Sequence, residues 1–287
     1  MKKVLKYYLI FTLLIFISGC TDSKNNIYQL SNQSYSQMMS YIIHYDDTTI
    51  VIDGGTKEDK SELIKQIKTV SLDGVVDAWL ITHYHKDHTG ALASYLLDNT
   101  NELKIKNIYY NFPDESWVEK YEKNRYVDLV EINRGLDLVN NKEKVEKENK
   151  INLESITVEI IRTFNSKIIK NAGNNSSTVY KVVVNNKSIL FLGDLAVEAQ
   201  EELLLNSKDK ISNMDYVQMA HHGQAGVNEE AYKIINPDYC LWPTTDWLWE
   251  NKDKLYKTDE TKKWMKKIGV KKNYIANEGL ISISLDD

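Results

Sequence analysis

The sequence predicts an α/β protein arranged as a four-layer αββα sandwich. Runs of β-branched and apolar residues come first as hairpins, then alternate with segments of helical apolar spacing. The same succession is repeated in the second part of the chain, which implies two similar halves, each a sheet covered by helices. The chain has 287 residues, 42% of them hydrophobic and 27% charged, enough for one large core. Three prolines and 12 glycines leave little room for flexible linkers. Two cysteines, Cys20 and Cys240, exclude a disulfide scaffold, and a net charge of −5 argues against a general polyanion binder.

Each element rests on its own pattern. Residues 38–45 and 48–52 read as two strands joined at Asp46-Asp47. In 57–70, Leu63, Ile64, Ile67 and Val70 recur at helical spacing. Residues 78–82 form a short buried strand, 89–97 a helix on Leu92, Tyr95 and Leu96, and 105–110 another strand. Pro113 opens a helical stretch through Trp117 and Tyr121. Residues 141–150 are densely charged and are expected to be a solvated loop or helix end. Residues 156–161, 178–184 and 188–192 are β-rich, with Asn185-Asn186 turning the last two into a hairpin. A helix at 196–205, a strand at 216–219, a helix near 231–235 and a strand at 238–241 follow. A helix at 260–268 and short strands at Tyr274 and 280–284 complete the chain.

The N-terminus carries a separate message. Lys2, Lys3 and Lys6 precede an apolar run from Tyr7 to Ile17, shorter than the roughly 20 residues a spanning helix needs. The run ends in Ile17-Ser18-Gly19-Cys20, which resembles a bacterial lipobox. That resemblance implies a signal peptide at 1–19, lipid on Cys20, a tether over 20–27 and a protein held on the outer face of the cell membrane. Cleavage before Cys20 removes three lysines and takes the net charge from −5 to −8. Cys240, in Tyr239-Cys240-Leu241-Trp242, then reads as a buried thiol.

The chemistry concentrates at strand ends. His83, His85, Asp87 and His88 lie within six residues after the apolar strand Trp79-Leu80-Ile81. Residues i and i+2 of an extended segment share a side, so His83 and His85 can hold one metal while Asp87 and His88, at the turn into the next helix, hold a second. Imidazoles with carboxylates suit zinc, and also iron or manganese. Asp194 follows a second apolar strand and Gly193, where it could bridge two metals or cap the next helix. His221-His222-Gly223 and Asp53-Gly54-Gly55 follow two further strands. His44 lies mid-strand and is expected to be structural.

These residues resemble the metallo-β-lactamase superfamily, whose His-x-His-x-Asp-His signature is matched at His83, His85, Asp87 and His88. The resemblance extends to its early aspartate at Asp53, its bridging aspartate at Asp194 and its last histidine in the 221–223 segment. Within the superfamily the pattern is similar to the ComEC-type competence proteins, related phosphodiesterases and choline-phosphate esterases. Their Asn-x-x-Ser element is matched at Asn174 or Asn175 with Ser176-Ser177, and Asn236-Pro237-Asp238 and Glu278-Gly279 fit as well. The resemblance implies a single metallo-hydrolase domain over 28–287 with two cations. It implies a first metal on His83, His85 and Asp194, with water or Asn175. A second would sit on Asp87, His88, Asp194 and one of the pair at 221–222, His222 being favoured. Many relatives place a further histidine between the first cluster and the bridging aspartate; residues 89–220 contain none.

The expected activity is hydrolysis by a metal-activated hydroxide, with Asp87 orienting it and His221 serving the leaving group. Asn175 and Ser177 are expected to contact substrate. Phosphodiesters are favoured, in nucleic acid or in a phosphate-linked envelope polymer. The charge fits poorly with long DNA tracking, so no stable nucleic-acid complex is expected. Lys262, Lys263, Lys266, Lys267, Lys271 and Lys272 read as the solvated face of a helix, and Trp242, Trp247 and Trp249 as pocket or core. Carboxylic ester, lactone or lactam hydrolysis on the same site, and a non-catalytic metal-binding lipoprotein, are the alternatives.

Overall fold

A computed structural model describes residues 25–71 and 73–286. The segment expected to carry the export signal and Cys20 lies outside the described residues. No helix among the described residues is long and apolar enough to cross a membrane.

The first half opens with β1 (Asn26–Gln29), β2 (Ser40–Tyr45) and β3 (Thr48–Asp53), then α1 (Lys60–Val70), β4 (Val75–Val76) and β5 (Ala78–Leu80). It continues with α2 (Lys86–Asp98), β6 (Lys104–Ile105), β7 (Ile108–Tyr110), α3 (Glu115–Tyr121), α4 (Tyr126–Asp137) and β8 (Lys142–Lys144). The second half comprises β9 (Lys150–Asn152), β10 (Ile156–Arg162), β11 (Val179–Val184), β12 (Lys187–Phe191), α5 (Val197–Ile211), β13 (Tyr216–Gln218) and α6 (Glu229–Ile235). β14 (Tyr239–Trp242), α7 (Asp246–Glu250), α8 (Thr258–Ile268), β15 (Lys272–Ile275) and β16 (Ile281–Ser284) end the chain.

The strands form two seven-stranded sheets, in the orders β16-β1-β2-β3-β5-β7-β8 and β15-β14-β13-β12-β11-β10-β9, beside a small β4-β6 pair. Strand alternation splits the core into three layers. Ile42, Val51 and Trp79 face α1, α2 and α4. Tyr41, Ile43, Ile50 and Leu80 meet Val158, Tyr180, Val182 and Phe191 between the sheets. Leu190, Val217 and Cys240 face α5, α6 and α8. This is the αββα sandwich expected from the sequence. Antiparallel hairpins build one side of each sheet and parallel βαβ connections the other, and the parallel strands β5, β12 and β13 end at the same seam.

Two expectations are corrected. Ile27 is fully buried in β1, paired with both β2 and β16, so the domain begins inside the stretch expected to be tether. The charged stretch 141–150 is a loop only over residues 145–149. It supplies the outermost strand of each sheet, β8 and β9, and buries Val145 between the layers. Lysines and glutamates on an edge strand discourage pairing with another chain, which explains the composition. The lysines of α8 are mostly solvated; Lys262 pairs with Asp259 at 3.8 Å and Lys267 with Glu229 at 2.8 Å, and beyond the helix Lys271 pairs with Asp238 at 2.8 Å. His44 bonds Thr49 Oγ1 at 2.8 Å within the β2–β3 hairpin.

Candidate metal centre

β5 ends at Leu80 and the chain runs extended through His83 and His85 before α2 begins at Lys86, so Asp87 and His88 fall in the first helical turn. Asp194 follows β12 after Gly193, whose φ is +58°. It does not cap α5, whose N-cap is Ala196. His221 and His222 follow β13 in the left-handed region, with φ of 49° and 54°, and Asp53 shares that conformation at 54°. Such backbone costs about 1–3 kcal/mol per residue, and here it collects around one spot.

Two ligand groups result. Asp87, His88, Asp194 and His222 form one, and His83, His85 and Asp194 the other, so Asp194 belongs to both. His88 Nε2 lies 3.2 Å from Asp194 Oδ1, and His222 Nε2 lies 3.3 Å from Asp87 Oδ2 and 3.6 Å from Asp194 Oδ2. His83 Nε2 is 3.9 Å from Asp194 Oδ2. Ligands about 2.0–2.2 Å from a tetrahedral cation stand about 3.2–3.6 Å apart, the spacing of the first group.

The bonding of the rings supports a metal. His88 Nδ1 contacts Asp53 Oδ2 at 2.7 Å, and His222 Nδ1 contacts the Pro243 carbonyl at 2.8 Å. His83 Nδ1 lies 3.2 Å from Thr82 Oγ1, which itself donates to Asp53. Each outer nitrogen is therefore tied and each inner lone pair is left facing its neighbours. His83 Nε2, His88 Nε2, His222 Nε2 and Asp194 Oδ1 are fully buried and form no hydrogen bond. Buried polar atoms left this way are costly unless something absent here satisfies them. The donor set fits a pair of divalent cations.

Charge is distributed accordingly. Burial alone would push His88 down, but the Asp194 and Asp53 carboxylates outweigh it and hold the imidazole well above its ordinary value. His222 is raised in the same way, against burial, by Asp194 and Asp87. Burial keeps His83 and His221 low. The carboxyls of Asp87 and Asp194 are held low by the histidines despite burial. Burial raises Asp53, against the pull of His88.

His221 Nε2 stands 3.8 Å from Asp194 Oδ2 and its side chain is 19% exposed, so it faces the open side of the cluster. Asn174, rather than Asn175, lies beside it, Nδ2 to Nε2 at 3.4 Å. The Asn175 amide accepts from the Ala196 N–H and donates to the Lys170 carbonyl and Glu198. Ser177 Oγ accepts from the Asp194 N–H at 3.0 Å, and Arg162 holds the Ser177 carbonyl at 2.9 Å. Both Asn175 and Ser177 thus brace the Asp194 loop. A cleft of about 300 Å³ opens beside Asp87, lined by Tyr35, Gln37, Lys86, Arg125 and Trp247. Trp242 is wholly buried, with Trp249 against it at 5.2 Å, so Trp247 alone of the three borders this cleft.

Sequence reasoning did not find Glu122, which contacts His85 Nε2 at 3.2 Å, nor the part played by Thr82 and Arg162. Glu122 sits after α3 among other charged residues, and nothing in its spacing distinguishes it from a solvated carboxylate.

The family model of the metallo-β-lactamase superfamily matches residues 36–238. The chain belongs to that superfamily. No curated protein sequence matches it. Among solved structures it is similar to the metallo-β-lactamase fold protein YhfI from Bacillus subtilis, with a TM-score of 0.56 and 12% identity, covering 90% of this chain and 99% of that one. It is similar to CmlA, a diiron β-hydroxylase from Streptomyces venezuelae, with a TM-score of 0.57 and 13% identity, over 92% of this chain and 55% of that one. A putative metal-dependent hydrolase from Parabacteroides distasonis matches at a TM-score of 0.50 and 14% identity, over 83% and 89%. These likenesses concern the fold.

Proposed function

We propose that this superfamily member is a metal-dependent hydrolase of ester bonds, phosphodiesters first, acting outside the cytoplasmic membrane from a lipid anchor on Cys20. The observation that carries the reading is the convergence of four buried, unbonded donor atoms on two ligand groups that share Asp194. Two divalent cations, zinc or alternatively iron or manganese, would be held by His83, His85 and Asp194 and by Asp87, His88, Asp194 and His222. Such cations acidify a water and polarise a phosphoryl or carbonyl oxygen.

The chain's own residues supply the rest. His221, held low by burial, is the most exposed histidine of the cluster at 19%, and there it can pass a proton to a leaving oxygen. Asp87 lines both the metal group and the cleft, where it can orient the attacking water. Lys86 and Arg125 give the cleft a positive rim suited to an anionic ester, and Trp247 offers a flat apolar wall. The ComEC-type likeness favours the same bond. A phosphate-linked envelope polymer suits the net charge of −8 left after cleavage, −5 less the three lysines Lys2, Lys3 and Lys6, better than long DNA does.

The test is metal content and turnover in the same preparation of residues 21–287. Near two metal ions per chain, with bis-p-nitrophenyl phosphate hydrolysis that is lost in Asp194→Ala, is the expected result. Metal without phosphodiester turnover, but with cleavage of carboxylic esters, lactones or lactams, would move the assignment to that bond. Absence of metal after zinc or manganese is added back would sink the hydrolase and leave a binding lipoprotein. The anchor is tested separately: Cys20→Ala should release the protein from the membrane fraction.

A further inference from the structure

The structure assigns Glu122 as the positioning residue that decides which nitrogen of His85 is offered to a cation, an inference that rests on the metal-centre reading above. In His83, His88 and His222 the outer nitrogen is Nδ1, and Nε2 is left inward and unbonded. His85 is inverted. Its Nε2 faces Glu122 Oε2 at 3.2 Å. A neutral imidazole that donates Nε2–H to this carboxylate keeps its lone pair on Nδ1, so Nδ1 is the ligand atom.

Three features fix the carboxylate. Tyr84, fully buried, donates its hydroxyl to the same oxygen. The backbone N–H of Glu122 closes the end of α3 on the Val118 carbonyl at 2.8 Å. Gly173 covers the pair: a Cβ there would stand 1.9 Å from Glu122 Oε2 and 2.2 Å from His85 Nε2. The φ of Gly173 is −65°, ordinary for any residue, so the glycine serves space and not conformation. The backbone at Gly173 therefore closes directly over the histidine–carboxylate pair. Among the described residues the first metal group has three ligands, His83, His85 and Asp194, so its affinity depends heavily on the orientation of each.

The test uses the zinc-loaded protein with 15N-labelled histidine, in the parent chain and in Glu122→Gln and Glu122→Ala. Long-range 1H–15N spectra report which nitrogen of His85 carries hydrogen and which is coordinated. Competition with a chromophoric chelator reports the two zinc affinities. In the parent, His85 is expected to coordinate through Nδ1 with Nε2 protonated. Glu122→Ala is expected to weaken one of the two equivalents about 10–100-fold and leave the other unchanged. Glu122→Gln keeps an acceptor for His85 and Tyr84 and is expected to stay within about threefold of the parent, a rescue that lost packing alone would not give. Coordination through Nε2 in the parent, or equal zinc affinities in parent and Glu122→Ala, would overturn the assignment while leaving the metal centre standing. A parent chain that takes up no zinc would overturn both. If Glu122→Ala does not fold, the parent spectrum decides.

Discussion

Freed of cations by a chelator, the folded protein should be most stable near pH 6.5 and lose stability on either side. Four histidines of the cluster have shifts that oppose one another. His88 and His222 are raised above the unfolded value of about 6.5, while His83 and His221 are lowered below it. A raised histidine contributes stability that is complete below the unfolded pKa and is lost as pH climbs towards the folded one. A lowered histidine costs stability below the unfolded pKa. Above about pH 6.5 the unfolded chain releases its histidine protons while His88 and His222 hold theirs to higher pH in the fold, so stability falls as pH rises, by at most about 1.4 kcal/mol per pH unit for each proton retained. Below it the unfolded chain takes up protons that His83 and His221 resist in the fold, so stability falls with acid as well. Asp87 and Asp194, held low in the fold, steepen the acid side, whereas Asp53, raised by burial, loses stability as pH climbs from about 4 and so opposes them. For a chain of this size each retained proton amounts to at most about 3–6 °C in Tm per pH unit. The assay is urea or thermal unfolding in chelator from pH 5 to 9, repeated with saturating zinc, which displaces the two protons and should abolish the alkaline limb. A profile that rises steadily from pH 6 to 9 in chelator would refute the charge distribution described for the cluster.

Other perturbations give separate checks. Gly223→Ala puts a Cβ 2.5 Å from the buried Trp242 ring at a φ of +76°, so a loss of about 3 kcal/mol is expected, read as a Tm lower by about 6–12 °C. An unchanged Tm would mean the His222 loop yields more easily than its packing implies. Asp53→Asn cannot accept from the Thr82 N–H, the Thr82 hydroxyl and His88 together, so zinc affinity should drop about 10–100-fold by calorimetry; equal affinity would show that His88 orients itself. Trp247→Ala should raise KM for bis-p-nitrophenyl phosphate several-fold with kcat and Tm little changed, and a constant KM would remove the cleft from substrate binding.

Much of the site was legible because its ligands follow strands that read clearly. Apolar runs before His83, Asp194 and His221 marked three strand ends; β5 runs parallel with β3 in one sheet and β12 with β13 in the other, and the residues after those ends gather in the two ligand groups. The hairpin at Asn185-Asn186 was equally readable, and both asparagines take the left-handed conformation such a turn requires. What sequence pattern cannot carry is contact between distant segments. Glu122 meets His85 across 37 positions, and Asn174 reaches His221 across 47. Asn174 and Asn175 are chemically identical, and only the path of the backbone separates the one beside His221 from the one that braces Ala196. The charged stretch 141–150 misled for another reason: edge strands are rich in lysine for protection, the same composition that marks a loop.

Asp194 and His222 come from the second sheet's side of the molecule, and His83, His85, Asp87 and His88 from the first. Neither half holds a complete coordination shell. A cation held there would act as a clasp whose grip requires both halves in place, and its binding energy would be realised only in the assembled pair. Separately expressed fragments divided between β8 and β9 would face each other as halves of a lock, with zinc concentration setting how tightly it closes.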